Sequence, residues 1–565
     1  MCAVTKEPLS SLQIAQEAEL CPIVEIAEQL GLEEDEVHLY GRYKAKVDIS
    51  VLDRLADRPD GKLIDVTGMT PTKFGEGKST TCVSLTQGLG KLDENACYCT
   101  REPSIGPVFG MKGGAAGAGY AQVVPMEDLN LHLTGDLHAI TAANNMLAAV
   151  IDAHILQGNA LGLDPLSVTW KRCVDIDDRA LRHVVIGLGG RVNGIPRETG
   201  FDITAASEVM AILGMASDLF DLRRRLGAIT VGSTYDGEPV TAEQLRAAGS
   251  MTVLMKDAIH PNLVQTLEGQ PAFMHAGPFA NIAHGNNSVV ADRVALKLCD
   301  YVVTESGFGS DLGMEKFMDI VCPAGGITPD ACVLVATVRA LKHHGGQSDD
   351  PRTTRMQGLQ AIERGIANLR RHLENVAAFG VPCVVAVNRF PSDTNEECEL
   401  VRRLALEGGA FAAELNEGPV KGGEGTIALA EAVRAATQQQ SNYQPLYSPE
   451  ATIRDKIETV AKRIYGASRV DYYPAADEKI AAFQANGMGR LPVCMAKTQY
   501  SLSADATLLG VPRDFEIPIR DIRAYTGAGW LVPLCGAIQQ MPGLSKTAAV
   551  YDVDIDETGR TVGLF

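Results

Sequence analysis

The sequence predicts an α/β protein built on a P-loop-containing, doubly wound, mostly parallel sheet, with additional smaller α/β and α+β domains. Three observations carry that expectation. The stretch Lys62 to Leu92, KLIDVTGMTPTKFGEGKSTTCVSLTQGLGKL, places a buried-strand pattern, a glycine loop and a helix in immediate succession. Short apolar runs followed by polar or glycine-rich loops then recur, with helical stretches between them: His183 to Ile186 before GLGG, Ile229 to Val231 before GSTYDG, Tyr301 to Thr304 before ESGFGSD, and Ala331 to Ala336 before TVRALKHHGG. Such alternation is what βαβ units produce. Composition agrees, with 45% apolar residues, 21% charged residues and 56 glycines, the profile of a packed chain with many tight connections.

The first of these stretches sets the chemistry. Leu63 to Thr67 suits a buried parallel strand, and Thr70 to Gly77 is a turn-rich loop with Pro71, Gly75 and Gly77. From Lys78 a helix is expected whose Leu85, Leu89 and Leu92 fall on one face. Free N–H groups at such a helix start, with the positive end of its dipole, suit a polyphosphate. Lys78 supplies a mobile charge for the terminal phosphate, and the hydroxyl of Ser79 or Thr80 can ligand Mg2+. The G-x-x-x-x-G-K-[ST] pattern is imperfect, because Thr72 stands where its first glycine would fall. A plain strand-to-helix turn with an exposed lysine is the alternative.

At 565 residues the chain exceeds one hydrophobic core, and about three or four domain-sized units are expected. The boundaries fall at 1–380, with an N-terminal helical cap, at 381–450 for a second α/β unit, and at 451–565 for a C-terminal α+β domain. A net charge of −19 opposes a nucleic-acid backbone, so anionic small molecules must be met by local basic residues. Thirteen cysteines without a C-x-x-C pair read as free thiols in a reducing cytoplasm. The N-terminal residues lack an apolar leader, and no apolar run is expected to reach the roughly 18 residues that span a bilayer.

Along the chain, residues 8–56 read as amphipathic helices broken at Pro22. Ala96 to Thr100 is a strand that delivers Arg101 and Glu102 to its C-terminal end, where open parallel sheets bind ligands. Gly110 to Tyr120, GMKGGAAGAGY, holds five glycines in eleven residues; it is either a flexible lid or backbone lying against a ligand. His132, Asp136 and His138 fit no common zinc spacing. A hydrogen-bonded set, or a role beside phosphate chemistry, suits them better. Cys383 to Val387 is a strand leading into Asn388-Arg389-Phe390-Pro391-Ser392-Asp393, whose polar pair reads as a base-reading loop or a capped turn. Phe390 is placed to stack on a flat heterocycle. Lys421 to Gly425, KGGEG, is a second glycine loop, and residues 436–450 read as a linker. Helices near 451–464 and 476–486 then precede strands at Leu491 to Met495, Phe515 to Ile519 and Trp530 to Pro533, with Lys497-Thr498-Gln499-Tyr500 after the first.

From about residue 40 to Phe565 the chain resembles the formate–tetrahydrofolate ligase family. The segments that carry the resemblance are TPTKFGEGKSTT (Thr70 to Thr81), REPSIGPVFGMKGGAAGAGYAQVVPMEDLNLHLTGDLHA (Arg101 to Ala139), RETGFDIT (Arg197 to Thr204), HAGPFANIAHG (His275 to Gly285), GFGSDLGMEKF (Gly307 to Phe317) and VATVRALKHHGG (Val335 to Gly346). Two positions depart from the family pattern. Ala118 replaces a glycine, and Asn416-Glu417-Gly418-Pro419-Val420 lacks the tryptophan that, with the N-x-F-P phenylalanine, sandwiches the pterin.

The resemblance implies ATP-dependent joining of formate to tetrahydrofolate, through formyl phosphate, by a cytoplasmic homotetramer of the monofunctional prokaryotic type. ATP, Mg2+ and a monovalent cation, K+ or NH4+, are implied cofactors. Formate and tetrahydrofolate, polyglutamylated forms included, are the implied partners, with no nucleic acid and no membrane. It places ATP on Thr72, Lys73, Phe74, Gly75, Glu76, Gly77, Lys78 and Ser79, and formate or formyl phosphate on Arg101, Gly113, Gly114, Gln122 and His138. The pterin falls to Phe390 and to the Pro419 position. Lys78, Arg101, Glu102 and Asp136 are the expected catalytic residues, Ser79 the Mg2+ ligand through ATP, and Glu102 the ligand of the monovalent cation.

Overall fold

Twelve strands form the central sheet in a computed structural model that describes residues 9–110, 117–347, 355–536 and 538–564. They are β1 (Val37–Leu39), β2 (Ala45–Val47), β3 (Lys62–Gly68), β4 (Ala96–Thr100), β5 (Gly117–Ala118), β6 (Ala121–Val124), β7 (Asn262–Thr266), β8 (Pro271–Met274), β9 (Tyr301–Gly309), β10 (Ala331–Thr337), β11 (Cys383–Asn388) and β12 (Ala412–Asn416). Their order is β1-β2-β7-β8-β4-β9-β3-β10-β11-β12, with β6 joined to β7 and β5 to β6. From β8 to β12 every pairing is parallel. The other end is antiparallel.

Both faces of the parallel region are buried, which is why its strands read as continuous apolar runs. Leu63, Cys97, Val302 and Leu334 feed one core. Ile64, Tyr98, Val303 and Val335 feed the other. The helix Lys78–Lys91 lies on the second face and is buried from Thr80 to Leu89, well beyond the leucine stripe expected of it. Its outer side is covered by Gly422–Thr426 and the helix Ile427–Thr437. Gly88 permits this approach, since a Cβ there would strike Thr426.

Several expectations need correction. Within 9–56 the α-helices are Ser11–Glu17, Ile23–Gln29 and Val51–Arg54, with a 3-10 turn at Glu34–Glu36; the β1–β2 hairpin lies between and extends the sheet edge. The runs at His183 and Ile229 form strands Val184–Ile186 and Thr230–Ser233, but each pairs only in a separate two-stranded antiparallel ribbon. They are short and partly exposed, so nothing draws them into the core. Sheet strands β7 and β8 escaped notice because polar residues interrupt β7. Asn262 is satisfied by Asp136 and the Met274 carbonyl, and Gln265 by Cys21.

β11 and β12, in the 381–450 segment, hydrogen-bond into the same sheet as β10. In the C-terminal region the helices Ile453–Val460 and Pro474–Ala485 and the strands Glu516–Ile519 and Trp530–Leu534 are present, while Leu491 to Met495 forms only an isolated bridge at Val493. Lys497 anchors this region through a wholly buried ion pair with Asp311, Nζ to Oδ2 2.7 Å. The helix Asp136–Leu156 is long and apolar enough, by length and composition, to cross a membrane, though polar residues interrupt its apolar run throughout. It packs Leu137, Ile140, Leu147 and Ile151 into the protein core.

A second anchor is Glu208, whose Oε1 accepts from the Gly527 N–H at 2.8 Å and from that of Ala528 at 3.3 Å. Burial raises its pKa to about 7 against the two hydrogen bonds, from an ordinary 4.5. Between those values the folded protein keeps a proton that the unfolded chain gives up, so this group's contribution is full below pH 4.5 and falls as pH rises to 7. Glu208→Gln is therefore expected to gain stability relative to the parent between pH 5 and pH 8, by an amount on the order of 3 kcal/mol. Urea unfolding at the two pH values measures it, and an unchanged difference refutes it.

Candidate functional site

Parallel strands end on a common edge, and the loops after β3, β4, β9, β10, β11 and β12 gather there. The loop after β3 turns at Gly75 and Gly77, with φ of 75° and 72°, a region that favours glycine. Gly77 caps the helix Lys78–Lys91. The loop wraps around the Glu76 carboxylate, which accepts from the Thr72 N–H (2.7 Å) and the Thr337 hydroxyl of β10 (2.5 Å). Asn388 fastens the helix start from the end of β11. Its Nδ2 donates to the Glu76 and Gly77 carbonyls at 2.8 and 3.2 Å, and its Oδ1 accepts from Thr81 and Asn416 at 2.9 and 2.8 Å. Lys73 and Phe74 project outward.

The charged centre forms where the β3 and β4 loops face β9. Glu305, opposite Val66 of β3 and wholly buried, accepts from Lys78 Nζ (3.2 Å) and Ser79 Oγ (2.7 Å) through Oε2, and from Arg101 Nη2 (3.4 Å) through Oε1. Burial alone would raise the Glu305 pKa; the charges of Lys78 and Arg101 and the hydroxyl of Ser79 outweigh it and hold the carboxyl at about 2. Arg101 Nη1 also donates to the Pro278 carbonyl at 3.3 Å, and its Nε has no partner among the described residues. Across the same strands Asp65 is pushed up to about 7 by burial, despite the Ser306 hydroxyl that donates to it at 2.5 Å.

Glu102 opens a second group behind Arg101. Its N–H donates to the Ala276 carbonyl at 2.6 Å, and its side chain is buried with Oε2 unpartnered. Burial, then the negative charge of Asp136, drives its pKa well up, against the nearby Lys46. Asp136 and Lys46 form a buried ion pair at 2.8 Å, and Lys46 also donates to the His260 carbonyl at 2.8 Å. Two non-glycine residues with positive φ flank these groups, Ala276 at 53° after β8 and Phe308 at 61° in β9. Strain of this kind collects at functional sites.

Other expected residues lie apart. Gln122, on β6, donates to the Ser11 and Gly119 carbonyls (2.9 and 2.6 Å), and none of its hydrogen bonds reaches Arg101. β6 pairs with the Thr266 end of β7, away from the Asn262 end that lies beside Met274, which puts Gln122 toward the opposite edge of the sheet. His138 is exposed on the helix that begins at Asp136. Gly113 and Gly114 fall outside the described residues. Ala118 is not among the positive-φ residues, whereas Gly117 and Gly119 are, at 91° and 59°.

Phe390 follows Asn388, and the Arg339 guanidinium covers its ring at 4.8 Å from the centroid. Arg339 also stands 5.2 Å from the Phe74 ring and donates to the Gly75 carbonyl at 2.5 Å. Pro419 is half-buried, and its carbonyl accepts from the Tyr120 N–H at 3.0 Å. Gly418 and, in the second glycine loop, Gly423 are packing devices, because Cβ atoms on them would strike Ser84 and Gln87 of the helix Lys78–Lys91. A 540 Å³ cavity lies beside it, lined by Glu17, Glu19, Glu268, Val420 and Lys421 among others. Carboxylates dominate its charged residues, the wrong sign for phosphate or formate.

Sequence reasoning therefore reached Lys78, Ser79, Arg101 and Glu102 but missed Glu305, Lys46, Asn416 and Arg339. A signal for Glu305 was present: a lone charge in the strand YVVTESGFG, otherwise apolar or small. Lys46 gave none, since alternating basic residues in YKAKV resemble a solvated edge.

Together the fold and the site define an α/β enzyme that gathers cationic and hydroxyl donors around an anion at the carboxyl edge of a parallel sheet. The family model described as formate–tetrahydrofolate ligase matches residues 9–565. A formate–tetrahydrofolate ligase from Desulforamulus reducens is 56% identical over 566 aligned residues, covering 99% of this chain and 100% of that protein. The chain belongs to the formate–tetrahydrofolate ligase family.

Asn388→Ala tests the scaffold of the site. It leaves the Glu76 and Gly77 carbonyls and the Thr81 and Asn416 donors short of a buried partner. The unfolding free energy is expected to fall by about 2 to 3 kcal/mol, and an unshifted urea midpoint refutes the bracing role.

Proposed function

We infer that the chain ligates formate to tetrahydrofolate with ATP, giving 10-formyltetrahydrofolate, ADP and phosphate. The observation that supports this at the site is the convergence of Lys78, Ser79 and Arg101 on a single carboxylate, that of Glu305. Donors placed to hold one carboxylate can hold another, and formate is the smallest.

In the reading that chemistry favours, a formate oxygen attacks the γ-phosphorus of ATP, the bond to ADP breaks, and formyl phosphate results. The amine at position ten of the folate then attacks the formyl carbon, loses its proton, and phosphate departs. The loop Thr72 to Ser79 is the proposed triphosphate cradle, Lys78 following the transferred group as its charge spreads. Arg101 is the proposed clamp on formate and formyl phosphate, its planar fork suited to two oxygens at once. Water must be kept out because it would hydrolyse an acyl phosphate, and the run Gly110 to Tyr120 is the proposed cover.

The implied cations fit the donors present. Ser79 Oγ and Glu305 Oε2 are hard oxygen donors 2.7 Å apart, suited to Mg2+; the bound ion supplies charge neutralisation on the phosphates. Glu102 is buried beside the Lys46–Asp136 pair, and its Oε2, which has no partner among the described residues, is the proposed ligand of K+ or NH4+. Phe390 remains the proposed pterin platform. A cytoplasmic homotetramer belongs to the same reading; free cysteines, all buried except Cys21 among those described, support a reducing setting.

The decisive test is a coupled assay that converts the product to its absorbing methenyl form, with formate, ATP and tetrahydrofolate omitted in turn; full turnover without formate refutes the reading. Lys78→Ala is expected to cost on the order of a hundredfold in kcat, and near-normal turnover would remove the loop from the phosphate site. Arg101→Lys is expected to raise the KM for formate much more than that for ATP. Equal changes in both would move Arg101 to the triphosphate.

A further inference from the structure

Glu305 presents a charge problem that the proposed reaction makes acute. Its carboxylate is wholly buried, and in the ligand-free protein its neutralising charges come from the two side chains that anionic substrates would claim, Lys78 and Arg101. When Lys78 turns to the triphosphate and Arg101 to formate, a naked carboxylate would be left beside several phosphate oxygens. Such an arrangement repels substrate and strands a buried charge, a costly outcome unless a cation takes over.

The geometry names the place for that cation. Ser79 is the second residue of the helix Lys78–Lys91, and its hydroxyl already lies on Glu305 Oε2 at 2.7 Å. Glu305 belongs to β9, which pairs with β3, the strand that feeds the loop. A hydroxyl at the helix start and a carboxylate from a neighbouring strand are the two protein ligands that magnesium–nucleotide sites use, the phosphates and water completing an octahedron. The β9 backbone helps to place the side chain, since its ladder with β3 shifts register between Glu305 and Gly309 and Phe308 takes a φ of 61°.

We propose that Glu305 is the carboxylate ligand of the divalent cation that accompanies the nucleotide, shared with the Ser79 hydroxyl, and that in its absence Lys78 and Arg101 hold the same carboxylate. The inference rests on the reading of the Lys78 loop as a nucleotide site. Glu305 thus has two sets of counter-ions in turn. Without the metal it competes with ATP for Lys78; with the metal it attracts the complex. The residue sets the preference for metal-bound over metal-free nucleotide.

Calorimetric titration of the full-length protein with ATP, once in EDTA and once with Mn2+, tests this, with the free Mn2+ signal in electron paramagnetic resonance as a second readout. The parent protein is expected to bind the Mn2+ complex at least about tenfold tighter than free ATP. Glu305→Gln is expected to bind free ATP several-fold tighter than the parent, because a repelling charge is gone, and to lose the Mn2+ gain and its share of bound Mn2+. A merely structural role would weaken both titrations together, and that result, or a Mn2+ gain equal to the parent's, overturns the proposal. If Glu305→Gln shows no cooperative melt, Glu305→Asp serves instead: it keeps the charge but withdraws it by one methylene. Loss of the Mn2+ gain with parent-like affinity for free ATP is then expected, and an intact gain overturns the proposal. A Lys78→Ala protein that binds both forms of ATP like the parent would instead refute the nucleotide site itself.

Discussion

A carboxylate buried in the middle of a dry sheet edge must be answered by positive charge, and that requirement at Glu305 organises the site. Lys78 comes from the helix after β3 and Arg101 from the end of β4, while Glu305 stands on β9 between those two strands. The parallel topology brings Glu305 to Lys78 and Arg101, each more than two hundred residues away from it in sequence. The same topology explains why the bracing is polar. Asn388 and Asn416 tie the loops after β3, β11 and β12 to one another, Asn388 satisfying the Glu76 and Gly77 carbonyls, which no strand partner can reach beyond the end of a ladder.

How much of this could be read from the sequence depended on whether a residue's partners were local. The strands at Leu63, Ala96, Tyr301, Ala331 and Cys383 were legible because burial on both faces leaves an apolar run, and the Gly75–Gly77 loop because left-handed backbone needs glycine. β7 was hidden because its polar residues are satisfied by Asp136 and Cys21, far away in sequence. Lys46 looked solvated for the same reason, its ion pair with Asp136 being made only by folding. Gln122 was drawn toward formate by its motif, yet the topology of β6 turns it to Ser11. The KGGEG loop was legible as a glycine loop, and Gly423 in it answers to the closeness of the helix Lys78–Lys91.

The Phe390 side of the site differs in character from the Lys78 side. No aromatic residue stands at Pro419, and one face of Phe390 is covered by Arg339. Because Arg339 also holds the Gly75 carbonyl and lies against Phe74, the ring expected to meet a heterocycle is mechanically joined to the loop expected to meet phosphates. A guanidinium is flat and stacks as an aromatic does, but it brings a positive charge. The two halves of the site therefore share one residue, on a helix start after β10 whose carboxyl end also supplies the Thr337 hydroxyl to Glu76.

Burial of the helix Lys78–Lys91 from Thr80 to Leu89 has a consequence for motion. Its amides are enclosed between the sheet and the Gly422–Thr437 cover, so their hydrogens can exchange with solvent only when the cover or the sheet opens. Closure around a substrate is left to outer segments such as Lys73 to Gly75, which lie exposed in front of it. Pre-organisation and mobility are divided within a few residues of one loop, with Gly77 marking the boundary.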